Sequence, residues 1–238
     1  MHVVFLGFAR DLIASVIVSV MLEENLRHRD MPDYLRDLTI SMNNWLAAEK
    51  RSPVRRALSL SNINFDRSKS GYPELGSCFK AAHVKSMIHF FAHWCLHARN
   101  AAGMLRSVCL WSLASFVHDC DAHDLHINLH DRLQMIAHGR LHLLSYQCLA
   151  SMAASAQVRL FKIRPKHHSF DEILQNLYTC SLNPMRISCF TDEDFLGKIK
   201  KIATHCHGTT VLLQTVRRYL LQLGLRFEQR RRSGVFSL

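Results

Sequence analysis

The chain has 238 residues, with 30 Lys and Arg against 19 Asp and Glu, a net charge of +11 when histidines are neutral. Length is no obstacle to a substantial core, because chains of this size hide roughly 70 % of their unfolded surface, and the charge points to polyanions, DNA or RNA first. Eight cysteines, at 78, 95, 109, 120, 148, 180, 189 and 206, sit mostly in apolar text without a paired framework, which excludes a disulfide scaffold and indicates reduced, buried thiols of an intracellular protein, nuclear or cytoplasmic.

The opening "MHVVFLGFARDLIASVIVSVML" resembles a signal sequence in composition. Arg10 and Asp11 divide it, however, and leave about eleven apolar residues where a bilayer span needs ~20, with no cleavage site after them. Residues 3–27 therefore read as a buried apolar helix, and a first methionine followed at once by core-grade residues suggests a chain that starts inside a domain. Pro32 opens a second, amphipathic helix with Tyr34, Leu35, Leu38, Met42, Trp45 and Leu46 on its inner side. From Ser52-Pro53 to Gly76 the composition turns to Arg, Ser, Asn, Gly and Pro, the mark of a linker or binding loop. Helices are expected over 78–99, 101–120 and 124–156, then a short strand at Val158–Ile163 ended by Pro165. A helix over 170–181, a break at Asn183-Pro184, and closing helices over 192–206 and 209–230 complete the pattern. The expected fold is all-α, an irregular bundle of about seven to eight helices with at most one short strand near 158–163. Its parts are a helical pair over 1–50, a basic polar linker over 51–77, a helical bundle with acidic-basic closing helices over 78–230, and a frayed basic tail over 231–238.

The segment "CFTDEDFLGKIKKIATHCHGTT" concentrates charge. Thr191 suits an N-cap, and Asp192, Glu193 and Asp194 fill the first turn, where carboxylates meet the positive end of the helix dipole. Lys198, Lys200 and Lys201 follow, and the Asp194–Lys198 pair adds ~0.3 kcal/mol. A well-capped helix accounts for these acids. The alternative is that one carboxylate faces a divalent ion beside a nucleic-acid strand while the basic turn meets phosphates.

Sixteen histidines give further candidates. His89, His93 and His97 repeat every four residues, a spacing with which two imidazoles share one metal, but they interleave with Phe90, Phe91, Trp94 and Leu96 and have no CxxC or HExxH beside them. Helix-surface and interhelix roles are the simpler account. In "HCH" at 205–207, neighbours point to different faces and Gly208 suits a C-cap. Arg164, Lys166 and His167, around Pro165, suit a phosphate contact, as do Lys198, Lys200, Lys201, Arg217 and Arg218. The linker arginines Arg51, Arg55 and Arg56 and the closing Arg226 and Arg230–Arg232 read as solvated charge or phosphate contacts, with few aromatic rings nearby for base stacking. No Gly-x-Ser-x-Gly and no Gly-rich phosphate loop occurs, so nucleophilic and nucleotide-binding chemistry lacks a motif.

Two ends of the chain carry a resemblance. "MHVVFLGFARDLIASVI" is similar to the text after the second catalytic Asp of cut-and-paste DDE transposases of the CACTA and KDZ type, where a D-x-x-H motif ends a strand. His2 matches that histidine, and the Asp would precede Met1. "FKIRPKHHSF" and "NPMRISCFTDEDFLGKIKKIATHCHGTTVLLQTVRRYL" resemble the K-P-K-x-H segment and the later helix that supplies the third carboxylate in such enzymes. Glu193 is the best match, with Asp192 and Asp194 as register alternatives. The whole chain also resembles a multi-copy protein group sharing the "DED-F-x-G-K" and "CHG-T" ending.

The resemblance implies an RNase H-like core in which two Mg2+ ions about 3.5–4 Å apart drive phosphoryl transfer. Both aspartates are missing from this chain, so Mg2+ is expected only if missing or partner residues complete the site. The resulting expectation is a truncated transposase-like protein, inactive alone, that binds nucleic acid or a related full-length partner. The runner-up is an α-helical protein-interaction module, and a histidine-rich metal binder using His89, His93 and His97 comes third. Neither a membrane nor a small-molecule substrate is expected.

Overall fold

The computed structural model describes residues 1, 3–66, 71–97, 100–187, 199–200 and 202–232, divided between two compact units, Met1–Ile187 and Ser188–Leu238. The described residues are all-α, with an isolated bridge between His126 and Leu182 as the sole β pairing among them.

In the first unit a π-helical turn, Val4–Phe8, runs into α1 (Ala9–Glu23). Leu12, Ile13, Val16, Ile17, Val18 and Met21 are all fully buried, too broad a set for one helix stripe, so α1 is enclosed rather than amphipathic. Val4–Glu23 is long and apolar enough to cross a bilayer, yet 83 % of its most apolar window is buried inside the fold. α2 (Met31–Ala48) begins with proline in its first turn, as expected, and buries Leu35, Leu38, Met42 and Leu46.

The 51–77 segment is not a free linker. Val54, Leu58, Ile63 and Leu75 are buried, and side chains of α2 bind its backbone: Asn43 exchanges two hydrogen bonds with Val54, at 2.9 and 3.2 Å, and Thr39 Oγ1 accepts from Leu58 N at 3.0 Å. A polar composition hid these apolar anchors, which are spaced singly rather than periodically.

α3 (Ala81–Trp94), α4 (Ala101–Ala122), α5 (Leu129–Ser155) and α6 (Pro165–Thr179) build the rest, with α4 packed on α3 and α5, α5 on α6, and α1 on α3. Asn100 caps α4 and Asn128 caps α5, each side chain accepting from the backbone N–H three residues on. α5 thus starts five residues later than its hydrophobic pattern implies. Buried Asn183 donates to the carbonyls of Cys120, His123 and Asp124 at 2.7–3.1 Å, so the residue before Pro184 satisfies the last turn of α4. α5 and α6 touch at Gly139, where a Cβ would lie 2.7 Å from Leu174 Cδ1 and 3.1 Å from its Cγ; Leu174 is itself fully buried, so a larger residue has no room.

Val158–Ile163 is irregular rather than a strand, and Phe161 is left-handed at φ 56°. Its backbone groups are satisfied by helices instead of a neighbouring strand: Ser15 Oγ accepts from Phe161 N at 2.9 Å, and the Tyr146 hydroxyl donates to Lys162 O at 2.8 Å. Pro165 then starts α6 five residues before the expected onset, as proline at the first helical position does.

In the second unit a short turn, Gly208–Thr210, leads into α7 (Val211–Arg232). Thr215 is buried there and its hydroxyl lies 3.9 Å from Cys206 Sγ, while Arg218 donates to His205 O at 3.0 Å.

Candidate functional site

Charge is distributed unevenly along the two longest helices of the first unit. Between residues 101 and 117 of α4 the only charged side chain is Arg106, and between 141 and 155 of α5 there is none. Arg106 is itself buried, paired to Glu23 at 2.5 and 2.7 Å, and this guanidinium holds the Glu23 carboxyl below its usual range. The two helices run antiparallel in a register set by His142, whose Nδ1 is 2.9 Å from Cys109 O, and by His138, whose Nδ1 is 2.8 Å from Asp119 Oδ2. That register aligns Met104, Val108 and Trp111 of α4 with Cys148, Leu144 and Leu141 of α5. All six are solvent-exposed, Leu144 at 63 %, Met104 at 58 % and Trp111 at 46 %. The outcome is an uncharged apolar stripe on a strongly cationic chain, the type of surface that marks an interaction site.

Beneath it the core holds two buried histidines. The Phe8 ring stacks on His142 at 5.3 Å and on His167 at 4.7 Å. Burial pushes His142 down to about 4 and lowers His167 as well. Both are neutral at physiological pH, and the Nε2 atom of each is buried without a hydrogen-bond partner. Burial also raises the thiols of Cys95 and Cys109 to about 12, which keeps them protonated and unreactive.

A third buried group joins distant parts of the sequence. Asp11 is fully buried and faces Arg164 at 2.6 Å to Nε and 2.8 Å to Nη2, and Arg164 reaches on to Glu74 at 2.6 Å. Arg10 donates to Leu75 O at 2.7 Å beside them. Burial raises the Asp11 carboxyl to about 6 against the pull of Arg164, so it is ionised at neutral pH. The sequence signal was present, since an acid inside an apolar helix requires a partner, but nothing in the chain pointed to Arg164 or Glu74.

The residues singled out from sequence fall into three groups. His2, Asp192, Glu193, Asp194, Lys198 and Lys201 lie outside the described residues. Arg164, Lys166 and His167 are turned inward: Arg164 forms the pairs above, Lys166 crosses Gly7 and donates to Leu6 O at 3.1 Å, and His167 accepts from Arg164 N at 3.1 Å. Lys200, Arg217 and Arg218 are exposed. Of the repeating histidines, His89 is half-buried and pushed down to about 4 by burial, and exposed His93 stacks on Trp45 at 5.5 Å. His97 falls in the short turn Cys95–His97. Among the described residues no group of three or more His, Cys, Asp or Glu is arranged to hold a metal.

No family model, no curated protein and no solved structure matches this chain.

Proposed function

We propose that this protein is a helical interaction module that joins a second copy of itself through the α4–α5 stripe. The observation that carries this reading is the exposed, uncharged row of Met104, Val108, Trp111, Leu141 and Leu144. Two chains of charge +11 repel, so contact between them favours a face that adds no like charge. A two-fold pairing of the stripe with itself sets four helices together as a bundle, each apolar residue counting twice.

Sedimentation equilibrium of the purified chain is expected to give a dimer, and Leu144→Asp a monomer with association weakened at least about a hundredfold. Alkylation of exposed Cys148 should slow as concentration rises. A wild-type chain that is monomeric at about 100 µM, a weak-affinity limit, with Cys148 modified at the same rate throughout, would remove this reading.

The second reading, a truncated transposase-like chain that binds nucleic acid, is favoured by the exposed Lys200, Arg217 and Arg218 and the net charge. It requires binding to duplex DNA that weakens steeply with salt, with a log–log slope that falls by about 1 for each phosphate-contacting lysine or arginine removed. Salt-insensitive or absent binding eliminates it.

A further inference from the structure

The exposed sulfur of the first unit is gathered in one place. Of the nine methionines, Met21, Met31, Met42, Met87 and Met135 have no exposed surface and Met1 has 6 %, whereas Met104 and Met152 are exposed by 58 and 46 %. Met185 is half-buried. Among the described residues, Cys148 is likewise the one exposed cysteine. All three stand at the same end of the α4–α5 stripe. The register of the two helices aligns Met104 with Cys148, and Met152 follows Cys148 by four residues, one turn further along and about 40° round the helix.

We infer that Met104 and Met152 form an oxidation site that controls self-association, an inference that rests on the pairing of α4–α5 stripes proposed above. The co-reactant is hydrogen peroxide. A lone pair of the thioether sulfur attacks one peroxide oxygen and the O–O bond breaks. The proton on the transferred oxygen passes to the departing hydroxide, which leaves as water, so sulfur is oxidised by two electrons to the sulfoxide and the peroxide is reduced. The side chain gains no charge, but an apolar group becomes a hydrogen-bond acceptor. Inside a paired stripe that oxygen needs a donor, and the neighbouring Val108, Leu141 and Leu144 supply none. In separated chains water supplies it, so oxidation favours the monomer. The oxidant reaches these sulfurs while the chains are apart and then holds them apart. The core methionines are enclosed, which confines the change to the stripe and spares the fold. Methionine sulfoxide reductases reverse it, two thiols becoming a disulfide as the oxygen leaves in water.

The test is sedimentation equilibrium of the full chain before and after hydrogen peroxide. Dithiothreitol follows the oxidant, so that a Cys148 sulfenate or disulfide returns to the thiol while sulfoxides persist, and mass spectrometry locates the added oxygen. Oxygen is expected on Met104 and Met152 ahead of the enclosed methionines, with association weakened at least about a hundredfold, helical circular dichroism unchanged, and pairing recovered after treatment with methionine sulfoxide reductases. Met104→Leu with Met152→Leu is expected to keep one association constant before and after peroxide, whatever its value. The inference is overturned if both sulfoxides form and the chains stay paired, if the leucine variant loses as much association on oxidation as wild type, or if enclosed methionines are oxidised first. A chain that is monomeric before any oxidant removes the self-association reading and this inference with it, so the untreated sample tells the two failures apart.

Discussion

Arg164→Met is expected to remove about 3–5 kcal/mol of stability at pH 7, the usual effect of stripping one partner from a buried ion pair, measured by urea unfolding of the first unit. Asp11 has no exposed surface, and Arg164 contacts both its oxygens at 2.6 and 2.8 Å. Without the guanidinium the carboxylate sits uncompensated among the apolar residues of α1. Its route of relief is to take up a proton, and its carboxyl already titrates at about 6. The deficit of the variant should therefore shrink as pH falls from 7 to 5. Combining Asp11→Asn with Arg164→Met removes both charges and should recover most of the loss, since an absent pair costs far less than a broken one. A loss below about 1 kcal/mol, the range of an exposed pair, would show that the contact is incidental.

Acid should unfold the first unit, and His142 should account for much of the effect. Its folded value of about 4 lies below the ordinary 6.5 because burial disfavours the imidazolium. A histidine depressed in the folded state contributes stability that is fully present above the unfolded value and is lost as pH falls through the folded one. For His142 the window runs from about 6.5 down to about 4 and is worth about 3 kcal/mol. His167, stacked on the same Phe8 ring, and His89 on α3 act with the same sign. Asp11 acts oppositely: its folded value is raised, so its contribution is fully present below the unfolded 3.8 and is lost as pH rises through about 6. His142→Phe keeps a ring against Phe8 and deletes the titrating nitrogens. Unfolding free energy of that variant should decline less between pH 6.5 and 4 than wild type, and an identical slope would place the acid sensitivity elsewhere.

Helices were legible where one face alternates with water. α2 is the clearest case, with four of its six expected inner residues fully enclosed and Tyr34 and Trp45 half-buried. Ends were less legible, because Asn128 and Pro165 set them through local hydrogen bonding and fixed φ rather than through periodicity. The α4–α5 stripe was hidden for a related reason. Both helices are apolar on several sides, and the text around Trp111 or Leu144 does not distinguish a side chain covered by α3 or α6 from one facing solvent. Arg164 and His167 misled in the opposite sense. A basic cluster beside proline has the composition of a phosphate contact, and only the arrival of Asp11 and Phe8 from the far end of the chain turns it into core.

That arrival has a bearing on biosynthesis. The partners that enclose α1 and the turn before it include Phe161 on Ser15, Arg164 on Asp11, and His167 and Phe170 on Phe8, all more than 140 positions downstream. Until the ribosome has released those positions, a segment with mean hydropathy 1.9 has only part of its cover, from α3 and α4, on the nascent polypeptide. Translation would thus pass through a long interval in which chaperones must shield the amino-terminal helix, and products that terminate early would be drawn toward aggregates or membranes.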